Sequence, residues 1–132
     1  HDVGNAINPA LERGQIEGGF VQGQGWLTME EVVWDKSGKI KTFSPSTYKI
    51  PAINDIPKKF NVEIFKKGLN VEKVVNKAKT TGEPPLMLAM SVFFAIKDAI
   101  ASTANYKIAP DINAPATPEK ILLSIKKLKN IV

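Results

Sequence analysis

Cysteine is absent from the 132 residues, which excludes disulfide frameworks, iron–sulfur clusters, thiolate metal sites and cysteine nucleophiles within this chain. Histidine is nearly absent as well. His1 stands alone, so neither a histidine-based metal site nor a hydrolytic triad can be assembled. None of the nine glycines falls in a GxGxxG or GxxxxGK[ST] pattern, so nucleotide phosphate cradles are unsupported. Chemistry performed here must use carboxylates, amides, hydroxyls or lysines, or a cofactor that carries the hard step. The apolar run from Pro84 to Ile96 is shorter than the roughly 18–20 residues of a membrane-spanning helix, and Ser91 interrupts it, so a core helix and no membrane are expected. No signal-peptide pattern opens the chain, which with the missing cysteine points to the cytoplasm, although a start at His1 rather than Met leaves room for an upstream segment.

Charge is present but unevenly spread. Residues 1–35 carry six acids against Arg13, a net −5, whereas residues 36–132 carry seventeen lysines against seven acids, a net +10. The basic surplus is lysine, as at Lys58, Lys59, Lys66, Lys67, Lys126, Lys127 and Lys129, without the arginines and interleaved aromatics of a nucleic-acid surface, so no nucleic-acid partner is expected. A chain of this length makes a single domain, 1–132.

Asn8 and Pro9 read as N-cap and first residue of a helix. The following PALERGQIEGGFVQGQGWLTMEE contains helix formers but also Gly14, Gly18, Gly19, Gly23 and Gly25, each costing about 1 kcal/mol of helix propensity relative to alanine. Their i, i+4 spacing would line a smooth face for a second backbone or a flat ligand, and a plain loop or tight helix packing explains them equally well. Trp26–Trp34 could end the helix or begin a strand that pairs with Lys39–Phe43 across a turn at Asp35–Gly38, a hairpin candidate, and Phe60–Phe65 alternates as a strand with Phe60, Val62 and Ile64 on one face. Residues 85–103 predict an almost wholly apolar helix in the middle of the domain. Thr117 and Pro118 begin a last amphipathic helix with Ile121, Leu122, Ile125 and Leu128 as its buried stripe.

Glu83 stands before Pro84 and Pro85 and that apolar helix, so its backbone is expected to be extended and outside the helix. Two roles are open to it. A carboxylate at a helix N-terminus can cap it, and a carboxylate held by two prolines against an apolar surface can serve as a general base.

The segment TGEPPLMLAMSVFFAIKDAI resembles one near the C-terminus of the molybdenum-binding subunit of molybdenum hydroxylases, the xanthine dehydrogenase and aldehyde oxidase family. DVGNAINPALERGQIEGGFVQGQGWLTMEE, SPSTYKIPAINDIPKKFNVEIF and APATPEKI agree in the same order, leaving residues 66–79 and 104–113 least similar. The resemblance implies the α+β molybdenum-cofactor-binding domain, in its C-terminal portion, with helices on a small, mostly antiparallel sheet. It implies that Glu83, in the family's GEPP motif, is the general base as a water-derived oxygen attacks a purine or aldehyde carbon. Gln15, in the GQ[VI]EG segment, is implied to lie against the cofactor, where an amide bonds without adding charge, with glycines admitting the pterin. Neither residue is implied to be a metal ligand. Molybdopterin, as such or as a dinucleotide, belongs to the intact enzyme and is not expected on this chain alone. Iron–sulfur clusters and FAD are implied on other domains or subunits, which with the rest of the molybdenum subunit would be its partners. Thr80-Thr81 departs from the Ala-Val common in relatives. Two non-catalytic readings stand beside this one: a lysine-rich module binding an acidic partner, and a relative that keeps the fold only as a scaffold.

Overall fold

A computed structural model describes residues 1–130. The first helix, α1, runs over Pro9–Thr28 and starts where its cap chemistry dictates. Asn8 is extended (φ −136°, ψ 92°), its side-chain oxygen accepts from the Leu11 N–H at 3.2 Å, and Pro9 occupies the first turn. The helix extends through all five glycines, so it reaches two residues beyond Trp26, where a strand was the alternative. What sustains it is packing. Phe20 stacks on Phe60 with centroids 5.1 Å apart, the Arg13 guanidinium donates to the Val62 carbonyl at 2.8 Å, and the buried Gln24 amide donates to the Asp55 carbonyl at 2.7 Å. The segment carrying prolines 51 and 57 is thereby wrapped along one side of α1.

The expected antiparallel sheet is not formed among the described residues. Pairing is limited to two isolated bridges, Gly4 with Ala78 and Trp34 with Ile40. The turn at Asp35–Gly38 is where the sequence puts it: the Asp35 carboxylate accepts from the Ser37 and Lys39 N–H groups, and Gly38 adopts φ +83°. Residues 60–65 keep the predicted alternation, with Phe60, Val62 and Ile64 half-buried and the residues between them exposed, yet they form no ladder. Alternation specifies an extended backbone with one covered face; a sheet also needs a second extended segment in register over several residues. Here α1 covers that face, and the backbone contacts go to the chain start, through Phe65 N–H to the His1 carbonyl at 2.7 Å.

The predicted helix 85–103 is divided. Pro84–Ala89 form a 3-10 turn, and only Met90–Ser102 are α-helical (α2). The 19 residues together are long and apolar enough, by length and composition, to cross a membrane, which corrects the shorter estimate from the run 84–96. The central position expected of this stretch is also corrected. Pro85, Ala89 and Ile100 are buried, but Met87, Leu88, Met90 and Phe94 are exposed. The helix Pro118–Lys129 (α3) has the predicted Thr117 cap and proline start, with Leu128 buried, but Leu122 points outward at 52% exposure and Ser124 is buried instead. A core of Ile100, Ala104, Ile112, Ala116 and Leu128 joins α2 to α3, and the Ala116 N–H donates to the Leu27 carbonyl at 2.7 Å, tying that core to the end of α1.

Candidate functional site

Glu83 lies on a cleft of about 920 Å³ between α1 and the 3-10 turn, walled by Gln22 and Trp26 on one side and by Thr80, Pro84 and Met87 on the other. Its backbone is helical (φ −98°, ψ −38°), not extended as a residue before proline prefers. The preference is overridden because the Glu83 carbonyl accepts the Leu86 N–H at 3.0 Å, closing the turn, while Pro85 and Ala89 are buried against α1. Glu83 thus takes the N-cap position, yet its carboxylate makes no capping bond. Among the described residues no cation pairs with it. The side chain is exposed on the cleft, free to meet a ligand.

Two devices hold the segment that carries Glu83. Upstream, the Lys79 N–H donates to the carbonyl of the fully buried Val3 at 2.8 Å, and the Lys79 ammonium pairs with Asp2. That ammonium and the Gly4 N–H hold the Asp2 carboxyl below the usual aspartate value. Downstream, the turn packs on Gly19 and Gly23 of α1. A Cβ at Gly23 would stand 2.5 Å from the Leu86 carbonyl oxygen and 2.7 Å from the Ala89 Cβ, so glycine is required there by close approach.

Gln15 is exposed and is not part of the cleft wall. It shares its side of α1 with Gln22 and Trp26, at spacings of seven and four, and lies roughly 10 Å before Gln22 along the axis. Glu83 and Gln15 therefore flank one continuous helix face without meeting in one cavity. Gln22 and Trp26 were not singled out from the sequence, although the 15, 22, 26 spacing was there to be read once the helix was extended past its glycines. Gly14 and Gly18 have no atom within 4 Å of where a Cβ would stand, so the surface beside Gln15 is open. No group of three His, Asp or Glu side chains that could hold a metal ion exists among the described residues. What the chain offers a cofactor is a neutral amide and bare backbone.

The lysine surplus has ordinary explanations in several places. Lys126, Lys127 and Lys129 occupy the last turn of α3, where cations complement the helix carbonyls, and Lys120 and Lys127 pair with Glu31 and Asp111.

Residues 1–57 match the family model described as a molybdopterin cofactor-binding domain. The chain is 48% identical over 126 residues to the xanthine dehydrogenase/oxidase of Felis catus, covering 91% of this chain and 9% of that protein. It is equally 48% identical over 126 residues to the xanthine dehydrogenase of Dictyostelium discoideum, covering 93% of this chain and 9% of the relative. Among solved structures, quinoline 2-oxidoreductase from Pseudomonas putida 86 superposes with a TM-score of 0.80 at 32% identity, over 96% of this chain and 15% of that one. The chain thus spans about a tenth of the length of the curated relatives it matches.

Proposed function

Because this chain belongs to the xanthine dehydrogenase and aldehyde oxidase family of molybdenum hydroxylases, we propose that it supplies the general base and part of the cofactor wall of such an enzyme. The reaction converts a C–H bond and water into C–OH, releasing two protons and two electrons. The molybdopterin cofactor, when bound, supplies the two-electron oxidation, and iron–sulfur and flavin centres on other domains or subunits carry the electrons onward. Purines, as in xanthine or hypoxanthine dehydrogenases, or aldehydes are the substrate class, and the cytoplasm the compartment.

Within this chain the work divides by residue. Glu83 accepts, at a carboxylate oxygen, the proton of the water-derived nucleophile as it attacks the electron-poor carbon. The unpaired carboxylate exposed on the cleft is the observation that carries this reading: Pro84 and Pro85 have no N–H for it to cap and the Leu86 N–H is taken by the Glu83 carbonyl, so its lone pairs stay available to a ligand. Gln15 fits a cofactor contact, because its amide is exposed beside open surface at Gly14 and Gly18 and hydrogen-bonds without adding charge. Gln22 and Trp26 line the same cleft as Glu83 and supply an amide and an aromatic ring on its α1 side. Alone, the chain carries only part of the cofactor's surroundings and is catalytically silent.

The test is Glu83→Gln in the full-length, molybdenum-loaded enzyme. Turnover of xanthine, hypoxanthine or an aldehyde falls roughly a thousandfold or more at unchanged molybdenum content, the scale of losing a general base. Near-normal turnover would return Glu83 to a structural role, and salt-dependent binding of an acidic protein unaffected by Glu83→Gln would favour the lysine-rich module instead.

A further inference from the structure

We infer that Gly23 is a positioning residue for Glu83: the missing side chain on α1 sets where the carboxylate stands. The inference rests on the general-base reading above. The turn Pro84–Ala89 meets α1 at Gly19 and Gly23, the first facing the Pro85 Cβ at 2.9 Å and the Leu86 nitrogen at 3.3 Å from a notional Cβ, the second facing Leu86 and Ala89 more closely still. Carbon atoms in ordinary contact stand about 3.5–4.0 Å apart. A methyl group at position 23 therefore pushes Leu86 and Ala89 away by roughly 1 Å.

That push reaches Glu83 with little loss. Pro84 and Pro85 have φ fixed by their rings, and the Leu86 N–H is bonded to the Glu83 carbonyl, so residues 83–86 move as one short rigid unit. Upstream, Gly82 has no atom within 4 Å of a notional Cβ and provides the compliant link to the anchored Lys79. The carboxylate is thus referenced to α1, the helix that also carries Gln15, Gln22 and Trp26. One methyl group on that helix changes the distance between base and the opposite wall without touching either.

The experiment uses the full-length, molybdenum-loaded enzyme as Gly23→Ala, Glu83→Gln and the double variant, with whichever of xanthine, hypoxanthine or an aldehyde panel the unaltered enzyme turns over. Gly23→Ala is expected to lower kcat about a hundredfold, the effect of a misplacement near 1 Å, with KM and molybdenum content unchanged. In the Glu83→Gln background the same substitution is expected to cost nothing further, because the group it displaces no longer acts. Hydrogen exchange in a peptide spanning 80–89 supplies a readout free of turnover: Pro84 and Pro85 have no N–H, so Leu86 reports first on the turn, and its exchange quickens while that of α3 does not. An equal loss in both backgrounds, or an undisturbed rate in Gly23→Ala, overturns the positioning role. If Glu83→Gln itself leaves turnover intact, the general-base reading fails and this inference with it; a loss in Glu83→Gln beside full activity in Gly23→Ala overturns the positioning alone. Should Gly23→Ala fail to accumulate as folded enzyme, Gly19→Ala, with a milder approach to Pro85, takes its place in the same comparison.

Discussion

At the scale of single residues, Asp2 links acid stability to the segment leading into the site. The Lys79 ammonium, then the Gly4 N–H, hold its carboxyl below the usual value of 3.8. A depressed folded-state value means the pair contributes stability above that ordinary value and loses it as pH falls through the lower, folded one. Asp35, Asp55 and Asp111 are shifted in the same direction by their own hydrogen bonds, so they add to the same acid limb. Asp2→Asn is expected to lower the melting temperature at neutral pH, with the gap from the unaltered protein closing as pH falls below the ordinary aspartate value and through the lower, folded one. A gap independent of pH would show that Asp2 acts through packing rather than charge. Asn8 makes a simpler case. Its side chain satisfies the Leu11 N–H at the start of α1, so Asn8→Ala should cost about 1 kcal/mol in a denaturant titration.

At the scale of elements, α2 separates residues by burial rather than by hydrophobicity. Ile100 is 2% exposed in the core shared with α3, whereas Phe94, on the same helix and larger, is 59% exposed. Ile100→Ala is expected to cost about 2–5 kcal/mol of unfolding free energy. For the isolated chain, Phe94→Ala should stay within about 0.5 kcal/mol of the unaltered protein, as surface substitutions do. Similar costs at both positions would place Phe94 inside a core. The same contrast explains the misassigned Leu122 of α3: apolar residues occupy more than one side of that helix, and only the neighbouring core selects which of them is covered. The glycines of α1 divide likewise. Gly19 and Gly23 receive the turn, while Gly14 and Gly18 face open surface beside Gln15.

At the scale of the whole molecule, exposed apolar residues such as Trp34, Phe43, Ile53 and Val71 stand against a small buried core. The isolated chain is expected to bind a hydrophobic dye and to sediment as species that grow with concentration, as apolar patches normally covered by a partner do. A strictly monomeric, dye-inert chain would argue that this surface needs no cover. Much of the molecule was legible beforehand. The Asn8–Pro9 and Thr117–Pro118 starts, the turn at 35–38 and the alternation of 60–65 follow from local rules of capping, φ restriction and side-chain direction. The blocks around Glu83 and Gln15 were distinctive enough to identify the family. Local rules could not supply the rest. That α1 survives five glycines, that Glu83 is helical before a proline, that the alternating segment finds a helix instead of a sheet, and that Gln22 and Trp26 share a cleft with Glu83 all depend on atoms distant in sequence. Residue type fixes what a short segment can do; only packing against α1, where single methyl groups decide how closely two backbones approach, chose among those possibilities.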